Sequence, residues 1–229
     1  ENKYQQLVIQ YHDKWNYIDL LDIPSHKVTH IALDKYDELK GDLLDFYTRP
    51  MGDSYALYRS VDSTELSVFR LTQDESFEQL FTLPIEKPSH GFSLLCTTHD
   101  EFWIAGDYGS FYKLNASGNV LQQLDAPDFV QTTNGDAYRL SIFHTDRSGR
   151  LWVTFRQQPG VYLYHNGLQS FQLTPQLPES LDFNLLFEDQ KGNLLFSSQK
   201  SNFSQHLWLW QTDNTTTDIS RLLNWENRI

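Results

Sequence analysis

Histidines and carboxylates are the side chains of this sequence that could hold a metal ion or carry out acid–base catalysis. His26 and His30 are four residues apart, a spacing that suits metal binding on a helix. Along a β-strand the same spacing puts both rings on one face but about 13 Å apart, so we expect no metal site there. The other histidines are scattered, at positions 12, 90, 99, 144, 165 and 206.

Other patterns that signal catalysis are missing from the sequence. It has no Gly-rich phosphate loop, no Gly-x-Ser-x-Gly turn and no Cys/His zinc pattern. Acidic residues are abundant, but position marks no pair of them as a general acid and base. The single cysteine, Cys96, lies in the apolar run 92–96 and is expected to be a buried small hydrophobic residue. We therefore predict that the segment is not an enzyme and needs no cofactor.

The charge of the chain limits its partners. A net charge of -12 and a pI near 4.9 argue against nucleic acid, because neutralising phosphates needs clustered Lys and Arg. Anionic membrane surfaces are disfavoured for the same reason, and no run approaches the roughly 18 apolar residues of a spanning helix. The sequence starts at Glu1 without an initiator methionine, which indicates a processed or excised segment. We expect neither nucleic acid nor membrane contact in this segment.

The elements that would position polar side chains are clearest between residues 138 and 174. Runs rich in β-branched and aromatic residues alternate there with Gly, Asn, Asp and Pro, which tolerate turn dihedrals. The predicted strands are 140–144, 151–155, 161–164 and 170–173. The pattern predicts an antiparallel meander of four strands.

The same unit recurs along the chain. Gly149 and Gly192 each end an Asp-x-x-Gly turn, and Trp103 and Trp152 hold equivalent places on second strands, where we expect them to pack between sheets. The predicted units span 43–84, 91–125, 138–174 and 182–220. Four-stranded repeats of this length are typical of β-propeller blades, which stack face to face because one small sheet cannot bury both faces alone.

The first 42 residues fit the repeat less well. They are interpreted as a half blade with a connecting segment, in which 6–11 and 17–21 would be third and fourth strands and 28–33 a further strand. The apolar spacing Leu33, Tyr36, Leu39 and Leu43 predicts a short helix over 34–44.

The predicted fold is therefore all-β, a partial β-propeller of four blades plus a half blade. It would be one propeller domain or a fragment of one, and we favour a fragment of a longer propeller. The alternatives are closure by a partner molecule and pairing between the end strands. Exposed blade faces and sheet edges would promote association, including formation of a homodimer.

Propeller geometry also predicts where a ligand would bind. Loops from second to third strands, and from fourth strands to the next blade, gather on one surface around the axis. The candidate ligand-binding residues on that surface are Tyr108, Arg156 and Gln157, since an aromatic ring and bidentate polar groups suit carbohydrate recognition. The alternative for each is an ordinary solvated loop residue.

Residues 141–154 (SIFHTDRSGRLWVT), followed by 160–164 (GVYLY), resemble the two-component regulator propeller repeat. That repeat has an Asp-x-x-Gly turn, then Leu-Trp, then a Gly-apolar-Tyr-apolar-Tyr strand. Residues 187–196 are similar, with Leu195 where the family has Trp. Residues 102–106 look like the same second strand after a turn shortened to His99-Asp100, and the copy at 45–81 keeps only Gly52 and the strand pattern.

This resemblance implies the periplasmic sensor region of a bacterial receptor. In that family the propeller usually precedes a membrane helix and a histidine kinase or diguanylate cyclase, and it often senses glycans. The implied partner is thus an unidentified small molecule or glycan. Two other classes stay open: a propeller lyase or hydrolase of the streptogramin lyase type, and a scaffold propeller that binds proteins.

Overall fold

The computed structural model describes residues 6–9, 17–22, 26–36, 39–49, 53–72, 74–85, 91–97, 99–106, 110–125, 140–155, 160–165, 170–174, 177, 182–199 and 205–220. These residues form five antiparallel sheets, numbered here in chain order. They divide into two compact units, an N-terminal unit with the first three sheets and a C-terminal unit with the fourth and fifth. In this part of the chain no helix is long and apolar enough to cross a membrane.

The first sheet has three strands, β1 (Gln6–Ile9), β2 (Tyr17–Asp22) and β3 (Lys27–Ala32), in that order. Here the structure differs from the predicted half blade. Strand β1 lies against the first strand of the second sheet, so β1 to β3 occupy first to third positions and not the third and fourth.

The described residues of 34–44 do not form the predicted helix. A single 3-10 turn at Leu33–Lys35 follows β3, and strand β4 begins at Asp42. The apolar spacing that suggested a helix instead packs a short connection onto the core, because Leu33 is buried and Tyr36 and Leu39 lie against the same cluster.

The other four sheets are four-stranded meanders in which consecutive strands pair. The second sheet comprises β4 (Asp42–Thr48), β5 (Ser54–Arg59), β6 (Glu65–Leu71) and β7 (Phe77–Pro84), and the third β8 (Phe92–Cys96), β9 (Phe102–Gly106), β10 (Ser110–Leu114) and β11 (Val120–Asp125). The fourth comprises β12 (Leu140–Thr145), β13 (Leu151–Phe155), β14 (Tyr162–His165) and β15 (Ser170–Leu173), and the fifth β16 (Asp182–Glu188), β17 (Leu194–Gln199), β18 (Gln205–Trp210) and β19 (Thr216–Asp218). These meanders confirm the predicted fold class.

Apolar faces of neighbouring sheets meet within each unit. In the N-terminal unit one cluster lies between the first and second sheets and another between the second and third. In the C-terminal unit Trp152, Phe196 and Trp210 anchor a cluster between the fourth and fifth sheets. Trp152 packs between the fourth and fifth sheets as expected. Trp103 is buried, and Cys96 is buried as predicted.

The hairpin turns share one geometry. In each of six five-residue turns the fourth residue has a positive φ and donates its N–H to the carbonyl of the first. The fourth residues are Glu75, Asp100, Gly118, Gly149, Gly192 and Asn214. The turn before β9 is therefore not shortened to two residues: it runs over 97–101, with Thr97 in the place of Asp146 and Asp100 in the place of Gly149.

Candidate functional site

The predicted ligand-binding residues Tyr108, Arg156 and Gln157 lie outside the described residues. The ligand surface was predicted to include the loops that join second to third strands. Of these loops, the structure fully describes the turn between β5 and β6. There Asp62 Oδ1 accepts hydrogen bonds from Ser60 Oγ at 2.6 Å and from the Thr64 N–H and hydroxyl at 3.2 and 2.8 Å. These bonds hold the pKa of Asp62 below its usual value, so the turn presents a carboxylate already satisfied by its own loop.

The described polar side chains with the most defined geometry lie where first and second strands join. In the turn from β12 to β13, Asp146 is almost fully buried, with 1% of its side chain exposed. Its Oδ1 accepts the N–H groups of Ser148 and Arg150, both at 2.9 Å. Its Oδ2 accepts Arg150 Nε at 2.6 Å and Trp152 Nε1 at 2.8 Å. We call this arrangement the Asp146 anchor.

The Asp146 anchor also fixes an aromatic stack. The Trp152 and Trp210 rings meet edge to face with centroids 4.9 Å apart. The Arg150 guanidinium lies 4.5 Å from the Trp210 centroid and 5.5 Å from that of Trp152. One carboxylate therefore satisfies the indole N–H and orients the cation that covers both rings.

The equivalent turn of the second sheet carries the opposite charge. Arg49 begins it and is only 9% exposed. Its Nη1 donates to Asp53 at 3.3 Å and to the Tyr55 hydroxyl at 3.1 Å, four and six residues further on, as Arg150 and Trp152 follow Asp146. A third bond, to Asp100 Oδ1 at 2.6 Å, reaches the third sheet. We call this arrangement the Arg49 anchor.

Burial perturbs the titratable groups of the Arg49 anchor. It raises the pKa of Tyr55 to about 12, against the opposing effect of the Arg49 hydrogen bond. It also raises the pKa of the Cys96 thiol to about 11. The pKa of Arg49 lies above its usual value because hydrogen bonds to Tyr55 and Asp100 outweigh the cost of burial. At neutral pH the guanidinium is thus charged, while the phenol and the thiol are neutral.

A second carboxylate ties neighbouring sheets of the N-terminal unit. Asp45 follows a bulge in β4, and its two oxygens accept the N–H groups of Phe46 at 2.8 Å and of Leu94, on β8, at 2.7 Å. Burial raises the pKa of Asp45 despite these two bonds. The Asp45 carboxyl therefore accepts one backbone N–H from the first strand of the second sheet and one from the first strand of the third sheet.

In the C-terminal unit Glu188 has the corresponding role. It accepts the Arg147 N–H at 2.9 Å and lies 3.2 Å from His144 Nε2, so it joins the start of the fifth sheet to the fourth. Of the two histidines four residues apart, His26 sits in a turn with positive φ, and His30 lies on β3 and hydrogen-bonds Asp19 at 2.8 Å. Among the described residues no group of three potential metal ligands comes together.

These clusters hold the fold together and offer little to a ligand. Their buried charged groups are bonded to partners within the protein, and each anchor uses its polar atoms within its own turn or against the adjacent sheet. Sequence reasoning identified Asp146 through its turn motif and missed Arg49. One signal could have revealed Arg49, because it shares the spacing of the Asp146 anchor with the charges exchanged. A charged residue is followed four positions later by its counter-ion and six positions later by an aromatic residue that can hydrogen-bond it.

No protein-family model matches the chain, and no curated protein matches it. Solved structures do. The chain is similar to the extracellular domain assigned to a hybrid two-component system of B. thetaiotaomicron, with 18% identity and a TM-score of 0.54 over 84% of this chain and 24% of that one. A second such domain from B. thetaiotaomicron has 15% identity and a TM-score of 0.51 over 91% of this chain and 28% of that one.

A third similar structure is YCF48 bound to D1 peptide, with 14% identity and a TM-score of 0.52 over 87% of this chain and 60% of that one. At these identities the likeness establishes the fold, which agrees with the repeat resemblance found in the sequence. The chain spans about a quarter of the length of the two extracellular domains that it matches.

Proposed function

We propose that this chain is the ligand-sensing propeller region of an extracytoplasmic bacterial receptor of two-component type. The observation that carries the proposal is the repeated four-stranded sheet with its Asp-x-x-Gly turn, shared in sequence with the regulator propeller repeat and in fold with extracellular domains of two-component systems. Signal output would come from a kinase or cyclase domain elsewhere in the full-length receptor.

The segment itself would bind without catalysing a reaction. Support comes from the use of the buried charges: Asp146 and Arg49 are each committed to several hydrogen bonds that fix a turn. A catalytic acid or base needs a proton-transfer atom within reach of substrate, and these atoms already face their structural partners. Turnover of a glycan or of a cyclic depsipeptide by the isolated chain would refute this part of the proposal.

The proposed ligand is a glycan or another small molecule bound at Tyr108, Arg156 and Gln157. The net charge of -12 favours neutral ligands over polyanionic ones, because a negative protein repels an anion at long range. Tyr108 would stack on a sugar face, and Arg156 and Gln157 would supply directional hydrogen bonds.

The test is a calorimetric or thermal-shift screen of the purified chain against neutral and acidic glycans, followed by Tyr108→Ala, Arg156→Ala and Gln157→Ala. We expect each substitution to weaken binding by about tenfold, which corresponds to 1.4 kcal/mol. Arg70→Ala is the matched control, since Arg70 is an exposed arginine paired with Glu78 on the outer strands of the second sheet. Equal affinity of all variants for the bound glycan would refute the assigned surface.

A peptide is the second candidate ligand, because the similar YCF48 structure holds a peptide. A library of extended peptides in the same screen separates the two classes. Binding of peptides with no binding of any glycan would favour a protein-recognition propeller.

A further inference from the structure

The first two strands of the second sheet and of the fourth sheet correspond residue for residue. Each pair of strands is joined by five residues, and each first strand has a bulge directly after the equivalent leucine, Leu43 or Leu140. Leu43 lies opposite Tyr58 in one hairpin, as Leu140 lies opposite Phe155 in the other. A position in the second sheet therefore has a defined counterpart in the fourth.

The residues one position beyond these pairs differ in charge between the two sheets. In the second sheet Asp42 and Arg59 lie opposite each other, and Arg59 Nη2 donates to Asp42 Oδ2 at 2.7 Å. The corresponding residues of the fourth sheet are Arg139 and Arg156. An acid–base pair that neutralises itself in one sheet is thus replaced in the other by two positive charges. Like charges at opposed positions of two strands are destabilising unless a counter-ion joins them.

Covalent geometry holds the two arginines close together, although both lie outside the described residues. Arg139 is bonded to Leu140 and Arg156 to Phe155, and these two described residues are Cα partners. Consecutive Cα atoms are about 3.8 Å apart and opposed Cα atoms about 4.5–5.5 Å, so the arginine Cα atoms lie within about 13 Å of each other for any conformation of the loops. No acidic residue stands within two positions of either arginine in the sequence.

The start of β16 is the described neighbour of this strand end. The Thr154 hydroxyl on β13 donates to the carbonyl oxygen of Phe183 at 3.4 Å. The residue before Phe183 is Asp182, which lies opposite Gln199 in the fifth sheet and brings one negative charge to this region. One aspartate can offset one of the two arginines, and the other is left for a second anion.

We propose that Arg139 and Arg156 together bind one oxyanion of the ligand, a carboxylate or a sulfate carried by a sugar. The inference rests on the proposed function, because Arg156 belongs to the proposed ligand surface. A guanidinium donates two parallel N–H groups to such an oxyanion, which takes the place that the Asp42 carboxylate has in the second sheet. The net charge of -12 repels polyanions at long range, but salt screens that field beyond about 8 Å, so the two adjacent cations dominate at contact.

The anion site is tested by thermal unfolding of the full chain, with inorganic sulfate replacing chloride at constant ionic strength. Sulfate should raise the midpoint of the wild type until the site is saturated. Arg139→Asp recreates the acid–base pair of the second sheet, so it should abolish this response and raise the midpoint without sulfate by about 2 °C. Arg70→Gln is the matched control and should keep the response, because Arg70 pairs with Glu78 on other strands. An equal sulfate response in the wild type and in Arg139→Asp, or none in the wild type, would overturn the proposal.

The ligand chemistry is tested by calorimetry with the glycans that bind in the screen described above. Reduction of the carboxylates of a bound glycan, or removal of its sulfates, should weaken its binding to the wild type by about tenfold and leave its binding to Arg139→Asp unchanged. The two treatments distinguish a carboxylate from a sulfate. A neutral glycan that loses affinity in Tyr108→Ala and none in Arg139→Asp would overturn this inference and leave the proposed function standing. A sulfate response without binding of any glycan would support the anion site and refute the proposed glycan ligand.

Discussion

The Asp146 and Arg49 anchors occupy the same turn in two sheets and carry opposite charges. Each bonds to the residues four and six positions further on, Arg150 and Trp152 in one case and Asp53 and Tyr55 in the other. This difference teaches that a buried group of either charge can anchor the turn when complementary partners stand at the same two spacings.

The signs nevertheless have different consequences. A carboxylate accepts hydrogen bonds, so Asp146 can also satisfy the N–H groups of its own turn, and the anchor remains local. A guanidinium only donates, so Arg49 cannot accept the N–H groups of its own turn, and it extends to Asp100 on the third sheet. The Asp146 anchor therefore stabilises one hairpin and its tryptophan stack, whereas the Arg49 anchor ties two sheets together.

The largest expected effect is the loss of the Asp146 carboxylate. Asp146→Ala strands the Trp152 indole N–H, the Arg150 guanidinium and two backbone amides, so we expect the C-terminal unit to lose about 3–5 kcal/mol of unfolding free energy. Hydrogen exchange of residues 140–155 measures this loss. Asp213→Ala, at an exposed turn of the fifth sheet, is the control and should leave exchange in the fourth sheet unchanged.

Removing the charge of the Arg49 anchor should cost less. Arg49→Met keeps the apolar stem and breaks the bonds to Tyr55 and Asp100, but both aspartates of the anchor are more than half exposed and can be solvated. We expect a loss of about 2 kcal/mol from the N-terminal unit. A double-mutant cycle tests this: chemical denaturation gives the unfolding free energies of the wild type, Arg49→Met, Asp100→Asn and the double variant. Additive losses would contradict the tie between the two sheets.

Alkaline pH should distinguish the anchors, because the phenol of Tyr55 belongs to the Arg49 anchor. The pKa of Tyr55 is raised to about 12, so the unfolded chain releases this proton first as the pH rises above 10. The stabilising contribution is complete below pH 10 and is lost as the pH passes through 12, by about 1–2 kcal/mol in the N-terminal unit. Denaturation curves of the wild type and of Tyr55→Phe test this, and the variant should lack that part of the loss.

The smallest effect concerns the turn glycine of the Asp146 anchor. Gly149 has a φ of 76°, and an added Cβ would meet no atom within 4 Å. Gly149→Ala should therefore cost only the backbone preference, about 1 kcal/mol. Gly118→Ala is the contrasting variant, since its Cβ would lie 2.4 Å from the Phe81 side chain. Equal losses in a thermal melt would mean that contact with Phe81 adds nothing to the cost.

Much of the fold could be predicted from local signals. The meanders at 138–174 and 182–220 followed from turn residues and β-branched runs, and the burial of Trp152 and Cys96 was predicted correctly. Prediction failed where a turn lacked its signature residues. Thr97 and Asp100 form the same turn as Asp146 and Gly149, because a hydroxyl can accept the same N–H groups and aspartate tolerates the left-handed conformation. The assignment of Tyr108, Arg156 and Gln157 to a ligand-binding surface remains a prediction.

What the sequence by itself determined is the repeat. A hairpin turn is complete within five residues, and the alternation of a strand within about six, so both are encoded locally and can be recognised by their spacing. Only the tertiary structure decided which charges meet. Arg49 bonds Asp100, and the Asp45 carboxylate bonds the Leu94 amide, across 51 and 49 residues of sequence. The stacking of sheets sets those contacts, because sheet order depends on packing and not on the local pattern of residues.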